Sequence, residues 1–77
     1  MDRREVFATN LRQLRHAKGL SQNDLAYDAE VSRGYLNQIE KRAFFVSLRI
    51  VGRLADALEV EPAELLRLPQ KAGRRKG

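Results

Sequence analysis

A short stretch in the middle of the chain carries polar side chains whose types suit paired hydrogen bonding. Helical spacing over residues 32–41 turns Leu36 and Ile39 inward. The positions left outward are Arg33, Gly34, Asn37, Gln38 and Lys41. Arg33 offers a planar fork of N–H donors and Gln38 offers a donor beside an acceptor, so each can hold one partner through two hydrogen bonds. This surface predicts recognition rather than bond-making chemistry.

The remaining residues form no pattern typical of a catalytic site or a metal site. The chain has no cysteine, and its single histidine, His16, has neither a second histidine nor a nucleophile beside it. We therefore predict that the protein is not an enzyme and holds no metal or cofactor. The absence of cysteine fits a reducing cytosol, and the apolar runs are too short for a signal core or a membrane span, so we expect a cytoplasmic location.

Charge is distributed unevenly along the 77 residues. The net charge is +5, which favours a polyanionic partner. Residues 1–20 carry +3, residues 21–66 carry −3 and residues 67–77 carry +5. The predicted organisation is one folded domain over 1–68 and a flexible basic tail over 69–77, which is either a solubilising end or a source of non-specific attraction to a phosphate backbone.

The helix signals predict an all-α domain of five short helices. Residues with side chains that cap helix N-termini precede four apolar-periodic segments, and a proline in a first-turn position opens the fifth. These start signals are Asp2, Ser21, Ser32, Ser47 and Pro62. Gly19 ends the first segment and Pro69 ends the last.

The second and third predicted helices are joined by only a few residues, between Gln22 and Lys41. Small and apolar positions allow them to pack at a steep angle: Leu25, Ala26, Ala29, Val31, Leu36 and Ile39. This is the helix-turn-helix arrangement, in which one helix crosses a DNA backbone and the other enters the major groove.

Motifs at fixed offsets over residues 5–66 strengthen this interpretation. They are Gly19-Leu20-Ser21-Gln22, Leu25-Ala26, Val31-Ser32, Leu36, Ile39-Glu40, Ser47-Leu48 and Leu54-Ala55-Asp56-Ala57-Leu58. The set resembles the XRE/Cro-type phage-repressor family, whose small members include phage repressors, restriction–modification controller proteins and plasmid regulators. The resemblance implies a compact repressor-like domain that regulates transcription by binding double-stranded DNA.

The resemblance also implies roles for individual residues. Gln22 would anchor to a phosphate, Arg15 and Glu40 would form a buried structural pair, and base edges would be read by Arg33, Gly34 and Gln38. Chemistry supports guanine O6 and N7 for Arg33, adenine N6 and N7 for Gln38, and close approach to the groove floor at Gly34. Further phosphate contacts are expected from Ser32, Tyr35, Lys41 and Arg42. For Asn37, contact with a base and a solvated surface position are equally expected.

Two segments depart from the family pattern. Glu30 occupies the turn position where the family favours glycine, so the turn is either strained or follows another path. After Glu40 the family often has glycine, then basic residues and a proline, whereas residues 41–46 here lack both glycine and proline and carry Phe44 and Phe45. We expect one phenylalanine to fill the core and the other to join Leu65 or Leu68 in a dimer contact.

The predicted function is that of a regulator that binds a near-palindromic operator as a homodimer, with an auto-regulating controller or repressor preferred. Activation stays open, because Asp24, Asp28 and Glu30 could contact RNA polymerase or only solvate the surface. The alternative is an antitoxin-like module that binds a partner protein and binds DNA secondarily.

Overall fold

The computed structural model describes residues 2–41 and 46–68, and every element in these ranges is helical. Helix α1 spans Arg3–Ala17, α2 Gln22–Ala29, α3 Arg33–Lys41 and α4 Leu48–Leu58. The all-α prediction is confirmed. The predicted fifth helix is instead a 3₁₀ helix at Pro62–Leu66, because so short a segment closes with an i→i+3 bond from Glu64 N to Glu61 O rather than with an α-helical ladder.

Local hydrogen bonds begin each of the four α-helices. A side-chain oxygen just before each helix accepts from a backbone N–H two or three residues later, at 2.8 to 3.2 Å. The capping residues are Asp2, Ser21, Ser32 and Ser47. At α2, Asp24 Oδ2 also accepts from Ser21 N, which completes a capping box. The predicted helix starts are therefore confirmed.

One apolar core joins all five elements. Helix α1 packs against α3 and the 3₁₀ helix, α2 packs against α3 and α4, and α4 also packs against the 3₁₀ helix. The largest fully buried side chains are Leu11, Leu25, Leu36, Ile39, Leu54, Leu58 and Leu65. In the described ranges, every helix is too short or too polar to cross a membrane. The core holds α2 and α3 at a defined angle and leaves one side of each in solvent.

A buried amide fastens the 3₁₀ helix to α1. Asn10 Nδ2 donates to the carbonyl oxygens of Leu65 at 3.0 Å and Arg67 at 2.7 Å. These bonds occupy carbonyls that the end of a helix leaves without intrahelical partners. Leu65 is thereby drawn fully into the core, so its predicted place in a dimer contact is wrong. Leu68 is half exposed, while Phe44, Phe45, Arg42 and the tail 69–77 lie outside the described residues.

The turn between α2 and α3 carries a left-handed residue that is not glycine. Glu30 has φ 61° and ψ 43°, and its backbone N–H donates to Ala26 and Tyr27 carbonyl oxygens at the end of α2. Of the two options left by the sequence, the structure shows the strained turn, with a side chain on a left-handed residue. A left-handed residue with a Cβ costs on the order of 1–2 kcal/mol.

Replacing Glu30 with glycine should therefore stabilise the fold. The relief of strain outweighs the greater freedom of glycine in the unfolded chain, so we expect a net gain of about 0.5–1 kcal/mol and a rise in Tm of about 2–8 °C. Thermal unfolding followed by circular dichroism measures this shift. Glu30→Ala is the matched control, because it removes the same charge and keeps the Cβ. An equal gain from both variants would show that charge, not backbone strain, is responsible.

Candidate nucleic-acid interface

Helix α3 is amphipathic, with an apolar side fixed in the core and a polar side in solvent. Leu36 and Ile39 are fully buried. On the opposite side Arg33, Gly34 and Gln38 are exposed, as the helical spacing predicts. Ser32, which caps the helix, and Lys41, at its end, are exposed as well. Five of the predicted contact positions therefore share one accessible surface that no other described element covers.

The two remaining predicted contact residues on α3 lie at the border of this surface. Tyr35 is partly buried and packs against the core cluster, which fixes the direction of its ring. Asn37 is also partly buried and faces the start of α2. The only acidic residue of α3, Glu40, is buried and paired. The exposed side of α3 consequently carries positive charge from Arg33 and Lys41 and no negative charge.

A buried ion pair ties α3 to α1. Arg15 Nε lies 2.7 Å from Glu40 Oε2, and Arg15 Nη2 lies 3.0 Å from Glu40 Oε1, so the guanidinium meets both carboxylate oxygens. The two side chains are only 10% and 3% exposed. Arg15 Nη1 also donates to Leu20 O at 2.9 Å, which fastens the segment leading into α2. The structure thus places Arg15 and Glu40 in the contact that the family resemblance implies.

The start of α2 joins the same polar cluster. Gln22 Nε2 donates to Glu40 Oε1 at 3.1 Å and to Asn37 Oδ1 at 3.2 Å. Both amide N–H groups of Gln22 therefore point toward α3 and not toward solvent, where a phosphate would lie. The first turn of α2 still presents two backbone N–H groups, those of Gln22 and Asn23, beyond the one that Ser21 caps. The side chains of Arg15, Glu40, Gln22 and Asn37 are called the polar cluster below.

Gly34 lies on the exposed side of α3 with open space around it. A Cβ built at this position meets no atom within 4 Å. The fold of the protomer thus has no requirement for glycine at this point in a helix, where glycine costs about 0.5–1 kcal/mol relative to alanine. A side chain at this position would project into the open space on the exposed side of α3.

Sequence reasoning missed Arg12 and the bonds of Gln22 to α3. Arg12 Nη1 donates to the carbonyl oxygen of Glu40, so α1 holds both the side chain and the backbone near the end of α3. Its position one turn before Arg15 was an available signal, since residues three apart share a helix face. The Gln22–Asn37 bond had no signal, because the two residues lie on different helices.

The described residues contain no group of three or more His, Cys, Asp or Glu side chains that could hold a metal ion. The single histidine, His16, is exposed on α1, where its Nε2 lies 3.3 Å from Arg15 Nη2. Its ring therefore borders the polar cluster. The chemistry available on α3 is hydrogen bonding and charge.

Comparison with known proteins places this geometry among regulators. The family described as "Helix-turn-helix domain" matches residues 6–68. A hypothetical transcription factor of Neisseria meningitidis is 36% identical over 70 residues, which cover 91% of this chain and 66% of that protein. The control protein C.BamHI of Bacillus amyloliquefaciens is 36% identical over 64 residues, covering 82% of this chain and 79% of the relative.

A solved structure shows the same likeness in three dimensions. The restriction-modification controller protein C.AhdI from Aeromonas hydrophila superposes with a TM-score of 0.77 and 44% sequence identity. The superposition covers 80% of this chain and 94% of that one. The two proteins thus share one fold over most of each chain.

Proposed function

The chain belongs to the XRE-type helix-turn-helix family of DNA-binding transcription regulators, and we propose that it acts by seating α3 in the major groove of a near-palindromic operator as a homodimer. The observation that carries the proposal is the exposed side of α3, which combines hydrogen-bonding groups with positive charge and lacks exposed acid. A helix of this size fits the major groove, which is about 12 Å wide.

The contacts follow from the chemistry of each exposed side chain. Arg33 reaches guanine O6 and N7 together, and Gln38 pairs with adenine N6 and N7. Ser32 keeps its hydroxyl hydrogen for a phosphate oxygen, since its Oγ accepts from Tyr35 N. Lys41 and the Tyr35 hydroxyl supply further phosphate contacts at the ends of the helix.

The relatives support a controller role for this chain. One is named as a restriction-modification controller protein and another as a control protein. We propose that this protein likewise regulates a small set of promoters that includes its own, with its concentration and dimerisation as the controlling variables. Selection of bound fragments from a random DNA pool tests the proposal. A symmetric consensus with half-sites about 34 Å apart is expected, and a pool that stays random after selection would refute it.

Gly34 allows a test in which stability and DNA binding change in opposite directions. Gly34→Ala should stabilise the free protein by about 0.5–1 kcal/mol, because alanine favours the helix and the added Cβ meets nothing. The same methyl group would hold α3 away from the groove floor, so operator affinity should fall at least about tenfold. Urea unfolding and fluorescence anisotropy measure the two quantities.

Gly52 supplies the matched control. It lies in α4, where a built Cβ also meets no atom within 4 Å, so Gly52→Ala should give a similar gain in stability. Because α4 is not the helix proposed to enter the groove, this variant should bind the operator as the wild type does. Equal affinity of the two alanine variants would remove Gly34 from the proposed interface.

A second copy of the chain is the proposed occupant of an apolar surface near the start of α4. Leu48 is 85% exposed, and it lines a groove of about 180 Å³ together with four other apolar residues and two arginines: Phe7, Val46, Val51, Leu66, Arg3 and Arg4. A domain of this size buries about 60% of the surface that its unfolded chain exposes, less than a larger domain does, and a two-fold operator requires two protomers. Leu68 borders a different groove, beside Asn10 and Leu14, so Leu48 replaces it as the leading dimer residue.

Leu48→Gln should weaken the dimer strongly and leave the protomer folded. Full burial of one leucine is worth about 1.5–3 kcal/mol, and symmetry counts it twice, so the dimer Kd should rise at least about 100-fold. Sedimentation velocity over a concentration series measures this. Tyr27→Gln is the control, because Tyr27 is 84% exposed on α2, away from the groove. Unchanged association in Leu48→Gln would rule out this surface.

A further inference from the structure

The polar cluster contains a chain of hydrogen bonds whose direction is set by its most buried member. Glu40 is a carboxylate held by Arg15, so its oxygens can only accept hydrogen bonds. Gln22 approaches Glu40 Oε1 at 3.1 Å and must therefore present its NH₂ group and not its carbonyl oxygen. The buried charge thus fixes which way the Gln22 amide is turned.

The orientation of Gln22 then determines that of Asn37. Gln22 Nε2 lies 3.2 Å from Asn37 Oδ1. Because Gln22 donates its second N–H in this bond, Asn37 must present its oxygen and not its NH₂ group. The Asn37 oxygen is consequently turned toward Gln22 on α2, and its Nδ2 group, with two N–H donors, is the part left for a partner on the exposed side. Asn37 lies four residues after Arg33, one turn along the same helix.

On the basis of the proposed function, we infer that Asn37 is a specificity-determining residue that offers donors only, and that Gln22 is the positioning residue that makes it so. In the major groove guanine O6 and thymine O4 accept at the position where adenine N6 and cytosine N4 donate. An Asn37 that only donates favours guanine and thymine over cytosine, which presents no acceptor, and over adenine, whose N7 accepts but whose N6 donor is left without an acceptor. A free asparagine, by contrast, can pair with adenine N6 and N7 through both of its polar atoms.

The Gln22 side chain, which the sequence predicts to bind a phosphate, instead orients Asn37. Gln22 has no amide hydrogen left for a phosphate, so a phosphate at the start of α2 would be met by the backbone N–H groups of Gln22 and Asn23. The Gln22 side chain acts instead through Asn37. Its removal should change which base is preferred, whereas the loss of a phosphate contact would weaken all sequences alike.

The test measures base preference at every operator position for the wild type, Asn37→Ala, Gln22→Ala and the double variant, by selection from a random pool. The wild type should prefer guanine or thymine at one position in each half-site by at least about fivefold. Asn37→Ala should flatten the preference at that position alone. Gln22→Ala frees the Asn37 oxygen, so adenine should rise to within about twofold of the keto bases there.

The double variant and an NMR measurement on the free protein distinguish an effect of Gln22 through Asn37 from a direct effect of Gln22 on DNA. Gln22→Ala combined with Asn37→Ala should match Asn37→Ala, because Gln22 acts only through Asn37. In the free protein, Gln22→Ala should shift the NMR signals of the Asn37 side-chain amide while the Tm stays close to that of the wild type. Uniform weakening in Gln22→Ala, or an unchanged consensus in Asn37→Ala, would overturn the inference while the proposed function stands. A wild type that selects no consensus would overturn both.

Discussion

Replacing Arg33 with alanine is expected to abolish preference at one base pair in each half-site and to weaken operator binding by about 30-fold to more than 10⁴-fold. A good bidentate contact to guanine discriminates by about 1–3 kcal/mol, and a two-fold complex loses two such contacts. Arg33 is the first residue of α3 and is exposed, so we expect its loss to leave the packing of the protomer unchanged. Fluorescence anisotropy on the selected operator and on scrambled DNA measures both effects.

Arg33→Lys is the matched variant for this experiment. Lysine keeps the positive charge and loses the planar fork, so binding to scrambled DNA and its dependence on salt should stay near the wild-type values. Preference at the guanine position should still fall. A lysine variant with the full wild-type preference would show that Arg33 contributes charge alone, and the assignment to a base edge would be withdrawn.

Removing Glu40 alone should cause a large loss in the free energy of unfolding. Glu40→Leu leaves the Arg15 guanidinium buried without its carboxylate, and breaking a buried pair on one side costs about 3–5 kcal/mol. A domain of 77 residues is stable by about 4–12 kcal/mol in total, so this loss is a large part of what holds the fold. Urea unfolding monitored by circular dichroism gives the change in free energy.

The double variant Arg15→Met with Glu40→Leu should recover most of the lost stability. Apolar residues of similar volume avoid the desolvation of both charges, and such replacements are often neutral or stabilising. Arg4→Ala, which breaks the exposed Asp2–Arg4 pair, should leave the urea midpoint nearly unchanged. If Glu40→Leu is as stable as the wild type, the Arg15–Glu40 pair does not hold α3 in place.

The base preference of the Arg15→Met, Glu40→Leu double variant tests whether Glu40 also controls the selectivity of Asn37. Without Glu40 the Gln22 amide has no carboxylate to fix its direction, so Asn37 should lose its selectivity for a keto base while Arg33 keeps its own. Stability and specificity would then be seen to depend on the same carboxylate for different reasons. The ion pair holds the helix, and the spare acceptor capacity of Glu40 orders the amides beside it.

The sequence by itself determined the parts of this protein that depend on neighbours along the chain. Capping at Ser21 and Ser47 involves residues three apart, and the division of α3 into an exposed Arg33 side and a buried Leu36 side follows from the helical repeat. Family resemblance added the Arg15–Glu40 contact, which spacing alone places only beside the apolar stripes of two helices.

Only the tertiary structure decided which polar atoms meet across elements. Leu65 is buried because Asn10, far away in the chain, holds the carbonyls at the end of the 3₁₀ helix. The left-handed Glu30 and the Gln22–Asn37 bond likewise depend on the angle between α2 and α3. Periodicity tells which face of a helix is buried, but a hydrogen bond forms only within a few tenths of an ångström of its preferred length. That accuracy comes from the packed core, where all five elements constrain one another.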